Sequence, residues 1–357
     1  MWTSDSLRDL VRTKLGGASF VVVSNREPYI HSSNGNEITW ATPVGGVTTG
    51  LDPVLQASGG TWVAHGSGNA DHLVVDKFDR VPVPPDNPRY TLRRVWISEK
   101  QERGYYEGFS NDALWPLCHH AYTRPTFRES DWEEYKEVNW LFANAVLKEI
   151  EDDAALIFIQ DYHFALLSRY LKQLRPSLTT AQFWHIPWPD AETFEVCPWR
   201  EEILDGLLGN DLLGFHIGDH CDNFMEAASR VLGSQVHDEY NLVYQNEDPT
   251  LVRPFPISVD FEQISQEAQS PEVTDEIDKV TEEMNLVGKI VGLGIDRIDY
   301  TKGLPPRIRA IGRFLEKNPE YIGKMVFIQA GVMSRTNIHA YQQLSDQIDR
   351  ELSAVND

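Results

Sequence analysis

Four cationic side chains stand just beyond short strand-like runs of this sequence, a placement suited to capturing anions. Arg26 closes V-V-V-S-N-R at 21–26, Arg297 and Lys302 lie in D-R-I-D-Y-T-K-G-L at 296–304, and Arg335 follows the run at 325–330. Short apolar runs read as buried strands, and in parallel sheets ligands gather at strand carboxyl ends. A guanidinium there is a fixed fork for a phosphate or carboxylate. Gly45 and Gly46 allow close backbone approach ahead of an expected helix, whose free N–H groups and positive dipole end favour an anion. The Gly-Gly pair is not a G-x-G-x-x-G fingerprint, and 296–304 lacks the glycines of a Walker A loop.

Two further strand-end segments offer proton and hydroxyl chemistry. Asp161 and His163 follow the run I-F-I at 157–159, and His185 opens H-I-P-W-P at 185–189, where two prolines fix the loop. A carboxylate so placed can accept hydrogen bonds from substrate hydroxyls or take a proton. The spacing of Asp161, His163 and His185 matches no local zinc pattern, so no metal is expected. Tyr106 and Trp115 belong to an aromatic stretch, Y-Y-E-G-F-S-N-D-A-L-W-P at 105–116. Aromatic faces suit the C–H faces of sugar rings, although any one such ring is more often a core residue.

The elements that must position these residues alternate strand with helix, the pattern of an α/β fold with a parallel sheet. Strands are expected at 19–23, 62–64, 94–97, 156–159, 182–185 and 212–215, with helices at 132–150, 163–174, 199–208 and 219–232. An amphipathic helix is expected at the N-terminus. Two prolines in R-P-F-P-I-S at 253–258 interrupt the pattern, and a strongly acidic helical stretch spans 261–284. A second series then follows: strands at 290–294 and 325–330, helices at 305–317 and 337–352. The expected division is therefore 1–252 and 253–357. Two β-α units cannot cover both faces of a sheet, since doubly wound folds use about five or six strands, so the second domain is expected to be incomplete in this chain.

Composition limits the partners. Of 357 residues, 54 are acidic and 32 basic, a net charge of −22 that argues against nucleic acid. Any anion must therefore be held by local cations against the global field. Arginine (21) outnumbers lysine (11), and an acid-rich, lysine-poor surface is what solubility in strong salt would favour. No stretch approaches the roughly 20 apolar residues that cross a bilayer, and no signal peptide is visible. The three scattered cysteines suit free thiols in a reducing compartment. A cytoplasmic location is expected.

Taken in order, V-V-S-N-R, G-G-V, Y-Y-x-x-F-S-N-x-x-L-W-P, Q-D-Y-H, H-I-P-W-P, D-L-L-G-F-H, D-R-I-D-Y-T-K-G-L and S-R resemble the trehalose-6-phosphate synthase family of glycosyltransferases, across residues 22–335. The resemblance implies a GT-B fold, with two Rossmann-like doubly wound domains facing a cleft. It implies transfer of glucose from UDP-glucose to glucose 6-phosphate with retention, without metal or other cofactor. Partners would be a sugar nucleotide and a sugar phosphate, with a homo-oligomer open. By the same resemblance Arg26, Tyr106, Trp115 and Arg335 would hold the phosphorylated acceptor, Asp161 would meet the reacting sugars, His185 would touch the donor glucose, and Arg297 and Lys302 would hold the donor diphosphate.

The sequence departs from that pattern in three places. Gln160 stands where the W-x-H-D-Y-H segment has its first histidine, and His65 falls near the second tryptophan of W-F-G-W. The chain also ends at Asp357, ahead of the D-G-M-N-L-V-x-K-E segment that would bind the donor sugar and ribose. Two rival readings remain: the same fold with another phosphorylated acceptor (glucosylglycerol phosphate or validoxylamine type), and a non-catalytic sugar-phosphate sensor. A pyridoxal-phosphate phosphorylase lacks its lysine motif here.

Overall fold

The computed structural model describes residues 3–356 apart from 36, 44, 122, 151–153 and 333–337. The chain divides into two compact units, Met1–Pro256 and Ile257–Asp357.

In the first unit the strands are β1 (Ser19–Ser24), β2 (Ile30–Asn34), β3 (Glu37–Ala41), β4 (Thr61–His65), β5 (Arg80–Val83), β6 (Tyr90–Val95), β7 (Ala155–Gln160), β8 (Thr179–Phe183), β9 (Leu212–Phe215), β10 (Gln235–His237), β11 (Leu242–Gln245) and β12 (Asp248–Pro254). Ten of them form one sheet in the order β10-β11-β12-β9-β8-β7-β1-β4-β6-β5. From β12 across to β6 every pairing is parallel. The margins are antiparallel, β5 on one side and the β10–β11 hairpin on the other. Val21, Val22 and Val23 are all but fully buried, because helices cover both faces of a parallel sheet. The three cysteines are free and buried.

Chain order sets where this sheet can bind a ligand. The chain runs β1, β4, β6 toward one side, then returns to place β7 against the other flank of β1 and continues through β8 and β9. The direction of winding therefore reverses between β1 and β7, the switch point at whose carboxyl edge such sheets open a crevice.

A one-residue wider helix crosses over that edge. Residues Glu102–Leu114 form a π-helix, a rare geometry that concentrates at functional sites. It lies close on the helix Glu129–Leu147 because two of its residues have no side chain. A Cβ on Gly104 would come within 2.6 Å of Glu134 Cγ, and one on Gly108 within 2.3 Å of Asp131 Oδ2.

The second unit holds β13 (Ile290–Arg297) and β14 (Met325–Val332), paired in parallel. The helices Leu304–Lys317 and His339–Asn356 pack together through Leu304, Ile308, Leu344 and Ile348. Val291, Leu293 and Ile295, alternate residues on one face of β13, are exposed.

Several expected boundaries shift. The acidic stretch is two helices, Phe261–Glu267 and Pro271–Glu283, the second begun by the Ser270 cap. The strand expected through residue 185 stops at Phe183, which leaves His185 on the loop. The strand expected at 94–97 is β6, ending at Val95. The division falls after Pro256 rather than after residue 252, because β12 continues through Pro254 beside β9. Among the described residues no helix is long and apolar enough to cross a membrane.

Candidate active site

Residues beyond β1, β4 and β6 enclose a pocket of about 300 Å³ whose lining includes Arg26, Glu27, His65, Ser67 and Tyr106. Arg26 is exposed at its margin. The loop that carries it is pinned from within: the Trp62 indole N–H donates to Ser24 Oγ (2.8 Å), and that hydroxyl donates to the Arg26 carbonyl (2.5 Å). His65 donates its backbone N–H to the Asn25 carbonyl, and its Nδ1 lies 3.1 Å from the Val95 carbonyl. A carbonyl can only accept, so Nδ1 carries the proton there.

Beneath the pocket lies a buried charge network. Arg94 is fully buried and pairs with Glu27 and Asp71, both of which are also buried. Glu27 Oε1 accepts from the Ser67 backbone N–H and hydroxyl, each at 2.8 Å. Asp71 Oδ1 accepts from the His31 backbone N–H (2.8 Å) and Oδ2 from that of Gly68 (2.6 Å). Burial pushes the Arg94 guanidinium down to about 9, still cationic at neutral pH, and raises the Asp71 carboxyl. Removing the shared cation strands two carboxylates inside the protein. Arg94→Met is therefore expected to lower unfolding free energy by about 3–5 kcal/mol in urea titrations; a loss below about 1 kcal/mol would contradict this account of the network.

Across the switch point, beyond β7, sits Asp161. Its backbone has φ 72° and ψ 176°, a region open essentially to glycine that costs a side-chain-bearing residue about 1–3 kcal/mol. The surroundings hold it there. Asp161 Oδ1 accepts from the backbone N–H groups of Tyr162 (2.9 Å) and His185 (3.1 Å), and buried Gln182 donates Nε2–H to the Asp161 carbonyl (3.1 Å). His163 Nδ1 lies 3.9 Å from Asp161 Oδ2, and the His163 ring stacks on Tyr106, centroids 5.6 Å apart and planes at 14°. The pocket at Arg26 is thereby linked through Tyr106 and His163 to Asp161 and His185.

His185 is mostly buried, and its Nε2 lies 3.0 Å from Gln160 Oε1. Desolvation, aided by neighbouring His216, lowers its pKa from 6.5 to about 4, so the imidazole is neutral at neutral pH. The unfolded chain takes a proton here below about pH 6.5, whereas the folded chain resists it until about pH 4, so acid destabilises the fold through that window. Replacing His185 with Gln is expected to flatten the fall in thermal midpoint between pH 6.5 and 4.5. An unchanged fall would place the acid-sensitive group elsewhere.

The remaining expected residues fall in three places. Gly45 and Gly46 open the helix Gly46–Ser58, exposed, and a Cβ on either would meet nothing within 4 Å. Trp115 does not line the pocket; it is buried, its ring tilted against those of His119 and Tyr162, with centroids 4.0 and 5.9 Å away. In the second unit Arg297 ends β13, and Lys302 ends the short turn that leads through Gly303 into the helix Leu304–Lys317. Both are exposed. Buried Asp299 shapes that turn, accepting from the Thr301 N–H (3.0 Å) and hydroxyl (2.8 Å) and from the Tyr341 hydroxyl (3.0 Å). Arg335 lies outside the described residues.

A sequence profile settles the family. Residues 18–357 match that of glycosyltransferase family 20. The chain belongs to glycosyltransferase family 20. Its family-20 relatives include the trehalose-6-phosphate synthase of Mycolicibacterium gilvum, 35% identical over 348 residues, which cover 95% of this chain and 68% of the relative. The Mycobacterium tuberculosis trehalose-6-phosphate synthase is 34% identical, covering 96% and 69%. Among solved structures, an Escherichia coli protein bound with UDP-2-fluoro glucose superposes with TM-score 0.80 at 28% identity, covering 95% of this chain and 70% of that one. A Burkholderia xenovorans trehalose-phosphate synthase in complex with glucose-6-phosphate shares the fold at TM-score 0.80 and 24% identity, covering 94% and 71%. The family-20 chain thus has the α/β, GT-B class of fold.

Glu27, Ser67 and the Arg94–Asp71–His31 network are not among the residues expected from the sequence. Ser67 could have been found by applying the strand-end rule to the run at 62–64. Asp71 carries no such signal, because it meets His31 only through the tertiary fold.

Proposed function

We propose that this protein transfers glucose from UDP-glucose to glucose 6-phosphate with retention, giving α,α-trehalose 6-phosphate and UDP. The observation that carries the reading is the continuous path at the β1/β7 switch point, from the Arg26 pocket through Tyr106 and His163 to Asp161 and His185. Family membership and the relatives' names support it.

In this reading Arg26 takes the acceptor phosphate as a two-pronged donor, Tyr106 lies against the acceptor sugar, and Gly45 and Gly46 let the protein's own backbone come close to the substrate. Trp115 serves the acceptor side by backing Tyr162, and Arg335 contributes a second cation to it. Asp161 accepts hydrogen bonds from the reacting sugars, and neutral His185 meets the donor glucose. Arg297 and Lys302 hold the donor diphosphate. The acceptor hydroxyl attacks on the face from which the diphosphate departs, and the departing phosphate oxygen takes its proton, so no covalent enzyme intermediate is needed. Rate then comes from positioning and from stabilising the leaving charge; the two cations supply that stabilisation without a metal. We place the first unit as the acceptor domain and the second as the nucleotide-sugar domain. The sparse, unpaired cysteines favour the cytoplasm.

Arg26→Ala tests the acceptor half. Loss of a charge-assisted contact to phosphate is expected to raise KM for glucose 6-phosphate by roughly tenfold or more, with KM for UDP-glucose little changed. Equal rises in both would count against the assignment. A second reading keeps the mechanism and changes the phosphorylated acceptor, and His65 in the pocket favours it, where the resemblance has tryptophan. A panel of phosphorylated acceptors, with product identification, separates the two.

A further inference from the structure

Gln160 departs from the resemblance pattern, and the structure gives it a definite task. It is the last residue of β7, 2% exposed, and its side chain reaches His185 on the neighbouring loop. The carboxamide can be oriented without ambiguity. Its nitrogen lies 3.1 Å from the backbone carbonyl of Ile159, which can only accept, so that side must be the NH2 and the oxygen must face His185. An amide oxygen cannot donate. The imidazole must therefore donate from Nε2.

We infer that Gln160 is a positioning residue that holds His185 as its Nε2–H tautomer and thereby presents an unprotonated, hydrogen-bond-accepting Nδ1 to a sugar hydroxyl. A neutral imidazole carries one proton, so fixing it on Nε2 leaves Nδ1 bare. Nδ1 has no partner among the described residues. The ring is held in place by Phe183, edge-on with centroids 4.7 Å apart, and by the backbone N–H bond to Asp161. The titratable groups facing it are Asp161, with His163 beyond it, and His216, whose ring centroid lies 6.0 Å away and whose Nε2 bonds to the His185 carbonyl; His220 interacts with His216 in turn. Desolvation keeps the imidazole uncharged at neutral pH. A carboxamide suits the role because it does not titrate: it offers the same acceptor at every working pH.

The sugar-hydroxyl half rests on the proposed function, whereas the tautomer half does not. Nitrogen-15 NMR of histidine-labelled protein, with the His185 signals assigned from their loss in His185→Gln, reads the tautomer without any substrate. The Nε2–H form is expected in the wild type. Gln160→Met, which keeps length but removes the acceptor, is expected to give a mixture of tautomers. Gln160→Glu is expected to restore Nε2–H and to move the His185 titration upward, toward neutral pH. An Nδ1–H wild type, or an unchanged tautomer in Gln160→Met with native circular dichroism, would overturn the inference.

Turnover of UDP-glucose with glucose 6-phosphate then tests the presentation of Nδ1. Gln160→Met is expected to lower kcat about tenfold, the effect of one weakened transition-state hydrogen bond, with KM for the acceptor unchanged. A changed tautomer with unchanged kcat would refute the role in presenting Nδ1. A wild type that shows the Nε2–H form but turns over neither substrate would refute the proposed function while leaving the positioning role standing.

Discussion

Replacing Arg297 and Lys302 together with alanine is expected to lower kcat/KM for UDP-glucose by at least about 10³-fold. Removing one donor that stabilises developing charge costs about 10²–10³ in rate, and here both cations of the β13 turn would go. Both side chains are exposed, and Asp299 holds the turn between them through Thr301 and Tyr341, so the fold should survive and unfolding midpoints should stay close to wild type. Steady-state kinetics with each single variant and the pair checks this. The pair should be much weaker than either single variant in UDP-glucose turnover, and inorganic pyrophosphate should inhibit the wild type more strongly than the double variant. Retained turnover in the double variant would remove the diphosphate from this turn and, with it, the mechanism proposed for the leaving group.

Asp161→Asn carries the second large effect. The substitution keeps an oxygen for the N–H groups of Tyr162 and His185, and asparagine tolerates positive φ better than most residues. The backbone should hold its shape. What disappears is the negative charge at the edge of β7, and kcat is expected to fall about 10²-fold or more, within the range for losing a positioned acid–base or electrostatic group. Acceptor binding by calorimetry should change far less. The strained backbone adds a contrast: this conformation is maintained by Gln182 and by the Asp161 carboxylate itself, which suits a residue whose side chain must point at a substrate. If Asp161→Asn keeps near-wild-type kcat, the strain serves only the turn and Asp161 has no part in the chemistry.

Much of the fold was legible because its strands are buried on both faces. Runs such as V-V-V at 21–23 and L-I-F-I at 156–159 have to be apolar throughout, and that signal is strong. The hairpin of β2 and β3 was missed because it is largely exposed, its residues mixed polar and apolar. The strands β10 to β12 were missed for a related reason: they sit at the sheet margin, where the pattern is short and interrupted by Asn241, Asn246 and Glu247 at positive φ. The π-helix carrying Tyr106 was invisible, since an aromatic-rich stretch reads equally well as core in any helical geometry, and Gly104 and Gly108 reveal their purpose only beside Glu134 and Asp131.

The site divides the same way. Strand-end position pointed to Arg26, Asp161 and His185 from the sequence, because that rule depends on local order alone. It could not say that Tyr106 stacks on His163, which needs the π-helix placed against the short turn Tyr162–Phe164 after β7. Nor could it distinguish Trp115 from Tyr106: both are aromatics of one motif, and only burial separates the packed ring from the one that lines the pocket. Gln160 was visible as a departure from a pattern, but its meaning waited on the Ile159 carbonyl that orients its amide.

The central claim is most directly tested by incubating the protein, expressed from its complete open reading frame, with UDP-glucose and glucose 6-phosphate while following UDP release and identifying the product. The account predicts UDP formed in step with α,α-trehalose 6-phosphate, with the α configuration of the donor retained. Release of UDP with no glucosylated sugar phosphate, or a β-linked product, would contradict it.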